Sequence, residues 1–340
     1  MHRRFPCATR HRRCRRALRT LAVLATAGAL AFPALAAQAP LAGFVRRTLV
    51  VGGTARDALV RVPAARPGGA TAIVLLLHGR GGSGTALVTG AGRAAPYRAW
   101  LPIADREGLV LVAPDGLAGP DGSTGWNDCR GDGDARVEAD DVAFLEALAD
   151  TLAREAGLRV RRVFAVGTSN GGQMALRLAV ERPASVAAVA AIAAAMPAKP
   201  RCPPPARPVP VLLMNGTDDR LSPFGGGALG GASAATTRGT VLGTEASIAT
   251  WTRLAGVPAR PVDATEFPRS RAVGTRVVRT TWGTPGRPVA VLVRIEGGGH
   301  VEPSVTERHG TVITDIVGRQ DDTIEMAAEV WRFFAAFAGP

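Results

Sequence analysis

Short, wholly apolar runs alternate with amphipathic segments along most of the chain, and that alternation predicts one kind of sheet. Phe44 to Val51 and Ala58 to Val62 read as an antiparallel opening pair joined through Gly52-Gly53. The pattern then changes. Ile73 to Leu77, Leu109 to Ala113, Val163 to Val166 and Val186 to Ile192 are apolar runs of strand length, with further strands expected at Val209 to Met214 and Val289 to Ile295. Helical periodicity fills the intervals at Trp100 to Glu107, Asp140 to Ala156, Gly172 to Glu181, Glu245 to Leu254 and Ile324 to Phe334. Repeated βα units predict an α/β class fold, with a mostly parallel central sheet and helices on both faces. Two stretches break the rhythm: Cys202-Pro203-Pro204-Pro205 reads as a rigid connector, and Gly225 to Gly239 as a surface loop.

The first 36 residues follow a different pattern. Met1 to Arg19 is crowded with arginine, Thr20 to Ala36 carries no charge, and Ala34-Leu35-Ala36 offers a small-residue cleavage site. This is the layout of a signal peptide over residues 1–36, followed by one catalytic domain over 37–340. An uncleaved membrane anchor competes with that reading, but Gly28, Pro33 and the alanines suit a cleaved region better. Arg15-Arg16 resembles a twin-arginine export signal, and the general secretory route fits as well.

Export changes the charge argument. The formal net charge of +13 falls to +5 once the eight arginines of residues 1–36 are removed, which leaves little support for a nucleic-acid partner. Cleavage also removes Cys7 and Cys14. The remaining Cys129 and Cys202 are expected to form one disulfide in an oxidising compartment, and neither has a second metal ligand at close spacing.

Candidate chemistry centres on Gly167-Thr168-Ser169-Asn170-Gly171, a G-x-S-x-G segment between an apolar strand and a helix. The glycines allow a sharp turn that would lift the Ser169 hydroxyl clear of the sheet. A serine is a poor nucleophile until a histidine takes its proton and an acid orients that histidine. Asp218-Asp219 follows the strand ending at Met214, and His300 follows Gly297-Gly298-Gly299 after the strand ending at Ile295. Both would lie at the carboxyl ends of strands, where parallel sheets bind ligands. Their order, Ser, Asp, His, is the one expected of an α/β-hydrolase. An oxyanion hole needs two backbone donors, and the N–H groups of Asn170 and of Arg80, in His78-Gly79-Arg80-Gly81-Gly82, are the candidates. Gly81 competes with Arg80 for the second position.

These segments together resemble the secreted polyhydroxybutyrate depolymerase and feruloyl esterase family of α/β-hydrolases. The likeness spans roughly Ile73 to Phe334 and rests on LLLHGRGGSG, GWNDC, RRVFAVGTSNGGQMALRLA, NGTDD and IEGGGH. It implies the α/β-hydrolase fold, selects Asp219 over Asp218 as the acid, supports the Cys129–Cys202 disulfide, and suggests that Trp126 contacts substrate. The chain departs from the family after the histidine. Val301-Glu302-Pro303 stands where an aromatic-proline step is usual, and Tyr97 is the only tyrosine.

The expectation is thus a secreted or periplasmic serine esterase that needs no metal or cofactor. It would act on small or oligomeric esters, such as hydroxyalkanoate oligomers or feruloyl or acetyl esters, with no stable membrane association after cleavage. A prolyl-peptidase-like serine peptidase is the enzymatic alternative. An inactive exported binding protein is the non-enzymatic one. Acyl group, alcohol and oligomeric state are not legible in the sequence.

Overall fold

The computed structural model describes residues 41, 43–63, 71–133, 137–158, 162–230, 238–284 and 286–339. All of these residues belong to one unit, Ala39–Pro340, and the expected signal peptide, residues 1–36, lies outside the described residues.

An antiparallel hairpin opens the fold: β1 (Val45–Val51) and β2 (Thr54–Arg61). Then come β3 (Ala72–Leu77), α1 (Gly84–Thr89), a 3-10 segment (Gly92–Ala99), α2 (Trp100–Glu107) and β4 (Leu109–Pro114). A small ladder of β5 (Leu117–Ala118) and β6 (Thr124–Gly125) precedes α3 (Asp141–Glu155), β7 (Val163–Thr168), α4 (Asn170–Glu181), β8 (Ala188–Ile192) and β9 (Val211–Gly216). A second small ladder, β10 (Gly227–Ala228) with β11 (Thr240–Val241), leads to α5 (Thr244–Leu254). The chain closes with β12 (Asp263–Glu266), β13 (Arg276–Thr284), β14 (Arg287–Glu296), α6 (Thr311–Val317) and α7 (Met326–Ala338).

The main sheet has ten strands in the order β1-β2-β4-β3-β7-β8-β9-β14-β13-β12. Six central strands, from β4 through β14, run parallel, and an antiparallel pair flanks them on each side. The carboxyl ends of β3, β7, β9 and β14 therefore share one edge of the sheet.

Side-chain alternation divides the core in two, as the period-2 geometry of a strand requires. Ile73, Leu75 and Leu77 of β3 pack with α3, α4 and α5. Val74 and Leu76 pack on the opposite face with α2 and α7. Both faces are covered, so the strands are apolar throughout rather than alternating, the pattern that made them readable. On the α7 face Phe164 stacks on Phe334 at 4.6 Å between ring centroids.

Local signals set the helix limits. The Asp140 side chain accepts from the Ala143 N–H at 3.0 Å and caps α3, and Gly108, at φ 74, ends α2. A buried ion pair, Arg56 Nη2 to Asp141 Oδ1 at 2.6 Å, ties β2 to the start of α3. The other oxygen of Asp141 accepts from Asn127 N at 2.7 Å, so this carboxylate also anchors the GWNDC segment.

Sequence periodicity did not reveal β12, β13, α1, α6 or the 3-10 segment. β13, RVVRTTWGT, is mostly half-buried and carries polar residues along both faces, so neither clean alternation nor a continuous apolar run marks it. The supposed loop Gly225 to Gly239 contributes Gly227–Ala228 to a strand, and its residues 231–237 lie outside the described set.

Candidate active site

β7 turns into α4 at Ser169, whose backbone stands at φ 56 and ψ −121. Such a conformation costs a non-glycine residue of order 1–3 kcal/mol and persists only when the surroundings impose it. The flanking glycines show how they are imposed. A Cβ on Gly171 would stand 2.1 Å from Leu77 O of β3, and one on Gly167 would stand 2.4 Å from the Gly171 carbonyl carbon. No side chain fits at either position, so strand, turn and helix close on one another. Ser169 N donates to Ile192 O of β8 at 2.8 Å and locks the turn to the neighbouring strand.

The acid and the histidine arrive from the next two strands in the sheet. Thr217 N donates to Ile295 O at 3.0 Å and Asp218 N to Gly298 O at 2.9 Å, so the loops after β9 and β14 are laced together. His300 Nδ1 lies 2.7 Å from Asp219 Oδ2, with both side chains buried. Asp219 Oδ1 accepts from Leu221 N and Ser222 N, each at 2.8 Å, which fixes the carboxylate. Asp218 turns outward, 54% exposed, to pair with Arg319 at 2.9 Å. The two neighbouring acids thus have separate environments, and only Asp219 meets the histidine.

Ser169, Asn170, Arg80 and His300 line one cleft of about 480 Å³ at the carboxyl edge of the sheet. Gly81 N donates to Thr124 O at 2.8 Å, so the rival backbone donor of the 78–82 loop is already engaged. The Asn170 side chain is held away from the cleft: Oδ1 accepts from Trp126 N at 2.7 Å, and Nδ2 donates to Trp126 O at 2.9 Å and to Asp128 Oδ2 at 2.5 Å.

Trp126 corrects the expectation drawn from the family resemblance. It is 1% exposed and packs in the core instead of lining the cleft. Its indole N–H donates to His78 O at 2.8 Å, and its ring lies 5.0 Å from the His78 imidazole. A tryptophan buried there satisfies its polar end on the loop that carries Arg80, and so supports the cleft from behind. His78 Nε2 accepts from Gly116 N at 2.9 Å, and burial lowers its pKa, keeping the ring neutral. Its hydrogen bonds are structural ones.

Cys129 and Cys202 form a disulfide with Cα atoms 5.7 Å apart. Together with Glu181 they are the one acid, histidine and cysteine group among the described residues whose ligand atoms gather closely enough for a metal. Bonded to each other, the two sulfurs are not thiolates, and the cluster fits a structural bridge.

Sequence reasoning missed Glu302 as a cleft residue. Two positions beyond His300, it is buried and accepts a short hydrogen bond from the Thr168 hydroxyl, which also meets Tyr97 OH at 2.9 Å. Burial raises the Glu302 pKa, partly opposed by the Thr168 hydrogen bond. The departure from an aromatic-proline step at Val301-Glu302-Pro303 was the signal that marked the position.

Known proteins agree with this architecture. A family described as alpha/beta hydrolase fold matches residues 72–263. The candidate esterase NocK of Nocardia uniformis subsp. tsuyamanensis is 31% identical over 276 residues, covering 79% of this chain and 74% of its own length. The acetyl xylan esterase from Aspergillus awamori superposes with a TM-score of 0.51 at 13% identity, over 80% of this chain and 98% of its own, a likeness of fold. On the family match and the NocK relationship, the chain belongs to the alpha/beta hydrolase fold family.

Proposed function

We propose that the protein is an exported serine esterase in which Ser169 is the nucleophile, His300 the general base and acid, and Asp219 the residue that orients His300. The observation that carries this reading is the 2.7 Å contact of His300 Nδ1 with Asp219 Oδ2 in the same cleft as a serine on a strained strand-to-helix turn. In the reaction, Ser169 Oγ attacks the ester carbonyl while His300 Nε2 takes its proton. The oxyanion is held by the N–H groups of Asn170 and Arg80. As the carbon–oxygen bond to the alcohol breaks, His300 returns the proton to the leaving oxygen. Water, deprotonated by His300, then attacks the acyl-enzyme, releases the acid and regenerates Ser169.

Supporting evidence comes from several directions. The name of the 31% identical relative points to esterase chemistry. The disulfide suits an exported chain, and no helix among the described residues is long and apolar enough to cross a membrane. The apolar lining of the cleft comes mostly from glycines, alanines and leucines, and the Tyr97 ring among them is 2% exposed. Such walls suit a small aliphatic acyl group, acetyl or hydroxyalkanoyl, better than a feruloyl ring that needs a stacking surface.

The test compares Ser169-dependent initial rates on an aliphatic acetate, a 3-hydroxybutyrate trimer and methyl ferulate, with Ser169→Ala as the blank. A rate on the aliphatic esters above that on ferulate is expected. No difference between the wild-type chain and Ser169→Ala on all three would overturn the esterase reading.

A further inference from the structure

Charge is distributed unevenly around the cleft. Among the described residues four arginines line it, Arg80, Arg93, Arg130 and Arg238, against one acid, Glu302. Two of the four are matched. Arg80 pairs with Asp121, and the Arg130 guanidinium grips Asp128 through Nε and Nη2, with Nη2 to Oδ2 at 2.7 Å. Arg93 and Arg238 form no ion pair among the described residues, and both are exposed.

Both residues line the cleft that holds Ser169. Arg93, from the 3-10 segment, stands on the histidine side, where its charge acts on Glu302. Arg238 stands on the Asn170 side: its carbonyl accepts from Arg130, whose partner Asp128 also takes the Asn170 amide. Glu302 does little to offset them, because it is buried and turned to the Thr168 hydroxyl. A concave, partly desolvated site with an excess of one charge concentrates ligands of the opposite sign. Guanidinium, with its planar fork of donors, matches a carboxylate well.

We propose that the cleft selects esters bearing a second, ionised carboxylate, received by Arg93 or Arg238 while the ester carbonyl faces Ser169. This rests on the esterase reading of the same cleft and names its substrate class: half-esters of dicarboxylic acids and acylated hydroxy acids with a free carboxyl end.

Two pairs of probes, each with one ester bond, test it. In 3-acetoxybutyrate the carboxylate is on the alcohol, and in monoethyl succinate it is on the acyl group; their primary amides are the neutral partners. The carboxylate member of at least one pair is expected to have a kcat/KM about tenfold higher or more, the scale of one charge-assisted hydrogen bond. In Arg93→Gln/Arg238→Gln that ratio falls towards one, and the single variants assign the side. Equal rates on acid and amide, or a preference surviving in the double variant, would overturn the proposal while leaving the esterase reading intact. Should no ester show a Ser169-dependent rate, the esterase reading fails. Calorimetric binding of the same four compounds to Ser169→Ala then decides the charge selection separately: tighter binding of the carboxylates upholds it, and equal binding refutes it.

Discussion

Asp219 and His300, 81 residues apart in sequence, meet at 2.7 Å, while Asp218 faces solvent beside Arg319. A carboxylate held by two backbone N–H groups can fix the tautomer of the imidazole it contacts; a solvated one cannot. Asp219→Asn is therefore expected to lower kcat by about 10³- to 10⁴-fold, and Asp218→Asn by less than about threefold. Initial rates of ester hydrolysis decide it, and comparable losses in both would remove Asp219 from the proposed triad.

The elbow predicts a steric effect. Gly171→Ala would drive a Cβ against Leu77 O, a backbone atom at the carboxyl end of the central strand β3 that has little room to yield. A loss of about 3 kcal/mol or more is expected, at the upper end of overpacking costs. Gly225→Ala meets open space and should stay within about 0.5 kcal/mol of the parent chain. Urea denaturation of both variants checks the contrast, which disappears if the sheet and helix can separate.

The disulfide closes a loop between residues 73 apart. Chain entropy assigns such a crosslink about 4 kcal/mol of stability, lost in Cys129→Ser/Cys202→Ser. Parent and double variant should become equally stable once the parent is fully reduced. A denaturation midpoint insensitive to reductant would mean the bridge contributes nothing.

Glu302 gives the stability of the fold a pH dependence. Its folded pKa is raised, chiefly by burial, so the native state holds that proton more tightly than the unfolded chain does. The associated stability is complete below the unfolded value of about 4.3 and is lost as pH rises through the folded value. Glu302→Gln keeps an oxygen for the Thr168 hydroxyl and cannot ionise. Its melting temperature relative to the parent should climb as pH rises above about 4.5. A constant difference across that range, or a falling one, would show that the carboxyl is not held protonated.

The central strands were legible because both of their faces are buried, so Ile73 to Leu77 or Val163 to Val166 could hardly be anything else. Ser169, Asp219 and His300 could be singled out because each follows such a strand, although the choice between Asp218 and Asp219 needed the family likeness. What stayed hidden depends on contacts distant in sequence. Tyr97, Thr168 and Glu302 join across 134 residues between the last two, with no local pattern to announce it. Trp126 misled because a tryptophan beside an asparagine reads the same whether it touches substrate or, as here, supports the His78 loop from the core. β13 escaped because a half-buried strand near the sheet edge has no single apolar face.

The twist at Ser169, φ 56 and ψ −121, has a consequence for how the chain persists under mutation. Glycine would adopt this backbone without the steric cost, so stability alone favours replacing the serine. A lineage kept only for its ability to fold or to bind would drift towards that relaxed residue within a tolerant site. With Ser169 as the proposed nucleophile, the hydroxyl-bearing side chain at this strained point of the elbow is where selection for reactivity would oppose selection for stability.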